Sequence, residues 1–128
     1  MVTNSTNIIY RDLSYQIMSA IFEVHKDLGP GFLESVYKKA LVIELTNRGM
    51  KVGEEKVFDL AYKGKKIGAH RLDLVVEDKI VVELKTAERF APHHTAQLLS
   101  YLKASGYRLG ILVNFSKSKV ESRRVVMG

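Results

Sequence analysis

Asp73 and Glu83 are charges set into two otherwise apolar runs, residues 72–76 and 80–84, and Lys85 directly follows the second. A polar turn, Glu77-Asp78-Lys79, joins the runs, and together they read as a β-hairpin. Side chains alternate faces along a strand, so Glu83 and Lys85 share a side. A hairpin symmetric about Asp78 sets Asp73 opposite Glu83 and Val75 opposite Val81. Opposed residues on one face have Cβ atoms about 4.5–5.5 Å apart. Two carboxylates that close repel unless a proton or a cation lies between them. With an ammonium one step along the same face, the arrangement suits a hard divalent metal and a reacting phosphate. The same residues could instead form a cross-strand ion pair on a solvent face. The apolar runs favour strands covered on both sides, where a buried ion pair gives little stability, so a functional cluster is the stronger reading.

Glu34 is the next candidate. On a helix, positions 34, 37, 38 and 41 share one side, which places Glu34 in line with Tyr37 and Leu41 at the margin of an apolar face. A carboxylate there is costly unless paired or coordinating; the alternative is an acid that favours a helix N-terminus. His94, Gln97 and Tyr101 recur at helical spacing as a polar-aromatic stripe, either facing the same cleft as the carboxylates or forming an ordinary amphipathic margin. His93 and His94 lack a third histidine or cysteine at zinc-ligand spacing, and carboxylates without cysteine suit magnesium or manganese better. Gly29-Pro30-Gly31 lacks the lysine and the preceding strand of a phosphate-binding loop. Serine nucleophile elbows and metalloprotease helices are also absent.

The elements that must position these residues follow from hydrophobic period and turn residues. Leu13, Ile17, Ile21, Val24 and Leu28 recur every three to four residues and predict a helix from Asp12, ended by Gly29-Pro30-Gly31. A second helix is expected from about Leu33 to Asn47. Strands are expected over residues 51–62, 65–76 and 79–86, then a loop over 87–93. Pro92 is suited to open a third helix, which ends near Gly106. An apolar strand follows over 109–115, and residues 121–127 form a last edge strand. Residues 1–11 read as a loose lead-in and 12–128 as a single domain. The order ααβββαβ, with the added edge strand, predicts an α/β fold: a mixed central sheet flanked by helices.

At 128 residues, 46% apolar and 27% charged, the chain has the make-up of a globular domain able to bury a core. No run approaches the ~18 apolar residues of a membrane span. The polar start lacks a signal peptide, and the absence of cysteine excludes disulfides and thiolate chemistry, which together point to the cytoplasm. The net charge is +6 and the pI about 9.6. Residues 103–128 hold Lys103, Arg108, Lys117, Lys119, Arg123 and Arg124 against Glu121 alone. This excess fits either a solvated surface or a polyanionic partner such as nucleic acid.

Asp73, followed after nine residues by Glu83-Leu84-Lys85, resembles the signature of the PD-(D/E)XK nuclease superfamily. Gly31-Phe32-Leu33-Glu34-Ser35-Val36-Tyr37 matches the motif that names one of its branches, the GxxExxY family. The blocks from His94 to Lys103 and from Gly110 to Phe115 resemble later parts of that family, so the likeness spans nearly the whole chain. It implies a restriction-endonuclease-like core. It further implies Asp73, Glu83 and Glu34 as ligands of Mg2+ or Mn2+, and Lys85 as the group that orients water and stabilises phosphate charge. Gln97 would be the helix glutamine of the site, with Tyr101, Tyr37 and His94 in support. Leu72 replaces the proline of the superfamily's name, which removes no ligand. The implied activity is hydrolysis of DNA, on branched or damaged structures, with RNA as the other nucleic-acid candidate. Lys103, Lys117, Lys119, Arg123 and Arg124 would hold the flanking phosphates. A symmetric dimer would let so small a domain cut both strands of a duplex. The competing readings are a nucleic-acid- or partner-binding protein with this fold that does not cut, and hydrolysis of another phosphate ester.

Overall fold

The structure, a computed structural model, describes residues 9–128; most of the lead-in expected over residues 1–11 lies outside them. Helix α1 spans Arg11–Leu28 and buries Ile17, Ala20, Ile21 and Val24 along the expected stripe. Gly29 ends it at φ 71°, a left-handed conformation that costs glycine little. Helix α2, Glu34–Asn47, buries Tyr37, Leu41 and Leu45. Strand β1 runs Val52–Tyr62, β2 Lys65–Val76 and β3 Ile80–Lys85. Helix α3 follows over Pro92–Ser105, then β4 over Leu109–Asn114 and β5 over Glu121–Val126. Among the described residues no helix is long and apolar enough to cross a membrane.

The five strands form one sheet in the order β1-β2-β3-β4-β5. Only β3 and β4 are parallel, with α3 as their crossover; the other neighbours are antiparallel. The sheet is therefore mixed, as the element order predicts. Helices α1 and α2 cover one face, where Leu74, Val76, Val82, Leu84, Ile111 and Val113 meet Ile17, Ile21, Leu41 and Leu45. Helix α3 covers the other, where Leu98 and Leu102 meet Leu72, Val75, Val81 and Leu112. Residues 80–84 and all of β4 are buried, as expected of strands covered on both sides.

The fit of α3 depends on Gly110. A Cβ at this position would lie 2.9 Å from both Leu98 methyl carbons, and Leu98 is itself buried. Gly110→Ala is expected to cost about 1–3 kcal/mol through overpacking, read as a lowered midpoint in urea unfolding. A midpoint equal to wild type would show that α3 can ride further from the sheet at no cost.

Candidate functional site

The β2–β3 hairpin turns as its sequence predicts. Val75 pairs with Val81 and Val76 with Ile80, and the Lys79 N–H donates to the Val76 carbonyl at 3.0 Å. Glu77 and Asp78 both take positive φ, 54° and 52°. The Glu77 carboxylate accepts from the Lys51 N–H at 2.6 Å, which ties the turn to the start of β1.

Beyond the pair Leu74↔Val82 the ladder gives way, at the level of Asp73 and Glu83. Two side-chain bonds replace it. The Asp73 N–H donates to Glu83 Oε1 at 3.0 Å, and the Leu84 N–H donates to Asp73 Oδ2 at 2.9 Å. Each acid thus caps a backbone donor of the opposite strand, which satisfies groups that strand separation would orphan. On its other side, β2 pairs with β1 through Leu74↔Glu54 and Leu72↔Lys56, with Asp73 and Glu55 left unpaired between them. Glu55 sits there at φ 51°. Leu72 and Leu74 accordingly join opposite cores, although simple alternation would put them on one face.

This arrangement holds two carboxylates against each other in a dry place. Glu83 is 5% exposed. Its pKa is pushed up from 4.5 to about 8, first by burial and then by the charge of Asp73, while Lys85 acts in the opposite direction. A side-chain hydrogen bond between the two carboxyls, which needs one of them protonated, adds to the rise of Glu83. Two opposed carboxylates in one gap could hold a hard divalent cation in place of that proton, which would offset the repulsion that raises Glu83.

Lys85 is half-buried beside the pair, and its Nζ donates to Gln97 Oε1 at 3.4 Å. Tyr101, one turn further along α3, has its pKa raised by burial and then by Glu83 and Asp73. Its ring lies 4.2 Å from that of His70. Glu34 enters from the other side of the sheet, at the first turn of α2. Although largely exposed, it has a raised pKa, first through its partial burial and then through Asp73, with Lys85 and Lys38 opposing. The structure therefore gathers Asp73, Glu83, Lys85, Gln97 and Tyr101, with Glu34 within reach of their charge. Among the described residues, no three of His, Cys, Asp or Glu are gathered as one metal-holding group.

Tyr37 and His94 act on the frame of the site. The buried Tyr37 hydroxyl donates to the Gly29 carbonyl at 2.5 Å and accepts from the Phe32 N–H at 3.2 Å, and its ring stacks on Phe115 at 4.6 Å. It anchors the Gly29-Pro30-Gly31 loop that sets where α2 begins, and so positions Glu34. Tyr37→Phe strands two loop groups and is expected to cost about 1–3 kcal/mol, seen as a lower unfolding midpoint. A midpoint unchanged from wild type would remove the anchoring role. His94 turns back to the start of α3. Its Nδ1 accepts from the Ala91 N–H at 3.0 Å while its own N–H donates to the Ala91 carbonyl. Its pKa is lowered, first by burial and then by His93 and Lys85.

Asn114 was not singled out by the sequence reading, yet it fixes the loop between β3 and α3. Its Oδ1 accepts from the Ala87 N–H at 3.2 Å, and its Nδ2 donates to the Ala87 carbonyl at 2.7 Å and to Glu121 at 3.1 Å. A polar residue ending a fully apolar strand run was the available signal.

The basic residues of the C-terminal part do not form one patch. Arg123 lies over the Phe90 ring on the α3 side, 5.3 Å away. Arg124 points to the opposite face and donates to the Ile9 carbonyl. Lys117 pairs with Glu121 at 3.8 Å in the β4–β5 turn, where Lys119 is exposed. Lys103 lines a cleft with Asp59, Leu60 and His70 between α3 and the β1–β2 hairpin.

Comparison with known proteins gives the same fold. The crystal structure of SSO0001 superposes with a TM-score of 0.58 at 22% identity, covering 91% of this chain and 59% of that one. An alkaline exonuclease from Laribacter hongkongensis, LHK-Exo, gives 0.53 at 13% identity, covering 100% of this chain and 73% of its own. The same exonuclease in complex with dAMP gives 0.50 at 11% identity, covering 90% and 83%. The chain thus spans less than two thirds of SSO0001. No curated protein matches the chain. A family model described as the PD-(D/E)XK nuclease superfamily matches residues 11–125, a span that takes in every element from α1 to β5 and both carboxylates of the gap. The chain belongs to the PD-(D/E)XK nuclease superfamily.

Proposed function

We propose that this protein is a magnesium- or manganese-dependent nuclease that hydrolyses phosphodiester bonds in DNA at the gap between β2 and β3. The observation that carries the reading is the opposed pair Asp73 and Glu83, each using one carboxylate oxygen to hold the opposite backbone, beside Lys85 and Gln97. Nucleases of this superfamily generally use divalent metal ions. Such an ion, when bound, neutralises phosphate charge and makes a bound water more acidic. Asp73 and Glu83 would hold it, with Glu34 closing the site from α2. Lys85 would sit against the phosphate oxygens and stabilise the charge that grows on them. Gln97 would fix the Lys85 ammonium, and Tyr101 would close the α3 side of the gap. The likeness to an exonuclease whose structure was determined with dAMP agrees with a nucleic-acid substrate.

A second reading, a nucleic-acid-binding protein that does not cut, draws on one observation: the three acids are not gathered into a single metal-holding group. A cleavage panel of duplex, single-stranded and branched DNA and of RNA, with Mg2+ or Mn2+, separates the two. Asp73→Asn is run alongside, because an amide oxygen can still accept from the Leu84 N–H. Cleavage by wild type that Asp73→Asn abolishes supports the nuclease. Divalent binding without cleavage of any substrate would favour the binding protein.

A further inference from the structure

Strands β1 and β2 have 11 and 12 residues, about twice the 6 of β3. Only Leu74, Val75 and Val76 of β2 pair with β3. Residues 65–72 are therefore paired with β1 alone, and the hairpin leaves the body of the sheet as a two-stranded arm. Its base is held by His70 against Tyr101 of α3 and by Phe58, which meets Tyr107 of the segment after α3 edge-on at 5.8 Å. Its far part is bare: Tyr62 is 61% exposed and Ile67 68%. A register shift between Leu60 and Ala61 changes the pairing near the tip.

The arm is also basic. Around its tip, Lys63, Lys65 and Lys66 stand against Asp59 alone, and all three lysines are exposed; Arg71, nearer the base, is paired with Glu55 at 3.2 Å. The pair of Lys66 with Asp59, at 3.3 Å with both side chains about two-thirds exposed, leaves the tip cationic. A two-stranded ribbon fits the major groove of a duplex. From Asp73 to Lys65 is eight residues of one strand, or about 26 Å at a rise of roughly 3.3 Å per residue. That is about eight base-pair steps at 3.4 Å each.

We infer that the β1–β2 arm is a duplex-gripping element whose tip lysines, Lys63, Lys65 and Lys66, hold backbone phosphates about eight base pairs from the Asp73–Glu83 gap. The inference rests on the nuclease reading for its point of origin, but binding tests it separately from cleavage. The grip is electrostatic and independent of sequence. Lys103, across the cleft from the arm, adds a contact on the same side. The exposed Ile67 and Tyr62 give the tip an apolar surface for sugar and base edges.

The test uses the triple variant Lys63→Ala/Lys65→Ala/Lys66→Ala, with Arg11→Ala/Lys26→Ala/Lys39→Ala, three exposed cations on α1 and α2, as a comparison of equal charge loss. Thermal unfolding first shows that each is folded. Affinities for a 24-bp duplex and for a hairpin of about six base pairs are then measured in chelator between 50 and 200 mM salt. The expected result is a ~10- to 100-fold weaker grip on the long duplex at 50 mM salt in the triple variant. Its salt slope should fall by about 2–3, with the short hairpin unaffected. Equal affinity and slope for wild type and triple variant overturn the inference, whether or not the protein cuts. So does a loss of equal size in the Arg11/Lys26/Lys39 variant on both probes. A wild-type dimer dissolved by Ile67→Ser, with duplex affinity kept by the triple variant, would make the arm a self-docking surface and also overturn it. A wild type that cuts nothing but shows the expected slope change sinks the nuclease reading and leaves the arm standing.

Discussion

Lys85→Ala is expected to slow single-turnover cleavage by ~10²–10³-fold while leaving divalent metal affinity within a few fold of wild type. The ammonium is not one of the two oxygen donors in the gap. It stands beside them, held by Gln97 at 3.4 Å, where charge would develop on a bound phosphate. Its removal takes away a cation that acts mainly in the transition state. Lys85 also lowers the proton affinity of Glu83 and Glu34. Without it those carboxyls hold protons to higher pH, so the residual activity should rise later along the pH axis. Lys85→Arg keeps the charge on a wider, planar group and should recover only part of the rate. Glu83→Ala, by contrast, removes a proposed metal ligand and should weaken metal binding itself. Metal affinity is read by Mn2+ titration and rate by single-turnover cleavage of a labelled duplex. A Lys85→Ala protein that cuts within about threefold of wild type would disprove the assignment of this site.

The second large effect is a loss of stability on raising pH that a divalent ion reverses. Glu83 has a folded pKa of about 8 against 4.5 unfolded. A group raised in this way contributes its stability below the unfolded value, and that contribution is lost as pH climbs through the folded one. Without metal, the protein should therefore weaken steadily between about pH 5 and pH 8. From pH 6 to pH 8 the loss is of order 2 kcal/mol, or roughly 5–10 °C of unfolding temperature for a domain of this size. Mn2+ or Mg2+ favours the ionised pair and releases the proton, so the stabilisation it confers should grow across the same range. Asp73→Asn removes the second cause of the shift but not the burial. Its metal-free pH dependence should be shallower without vanishing, and at pH 8 it should be more stable than wild type while inactive. Such a trade is what a site built from opposed charges predicts. The measurement is thermal unfolding in chelator and in Mn2+ at both pH values. An unfolding temperature independent of pH and of metal would mean that the Asp73–Glu83 pair neither stores repulsion nor binds a cation.

Much of this was legible in local pattern. The apolar period of α1 and the Gly29-Pro30-Gly31 stop placed that helix, and Pro92 and Gly106 bracketed α3. The polar turn at Glu77-Asp78-Lys79 carried enough information to predict the pairing of Val75 with Val81, and so to bring Asp73 to Glu83. These signals are local because helix and strand periods, caps and turns depend on neighbours a few residues away. The C-terminal cations show where such reasoning stops. They are dense in sequence, but strand alternation sends Arg123 and Arg124 to opposite faces, and Arg124 is taken up by Ile9.

The sequence by itself determined the order of the elements and their bounds to within about a residue, the mixed sheet they imply, and the hairpin that brings two acids and a lysine together. The tertiary structure decided the rest. It parted β2 from β3 at Asp73, so that each acid bonds the opposite backbone. It brought Gln97 of α3 to Lys85 across the β3–α3–β4 crossover, turned His94 to the helix start, and drew Tyr37 into the loop before Glu34. It also left the long β1–β2 arm uncovered beyond the reach of β3. The physical reason is that a side chain's period is written in its own strand or helix. Its partner is chosen by which other element the packing of two cores sets against it, and by where a ladder of backbone bonds must end.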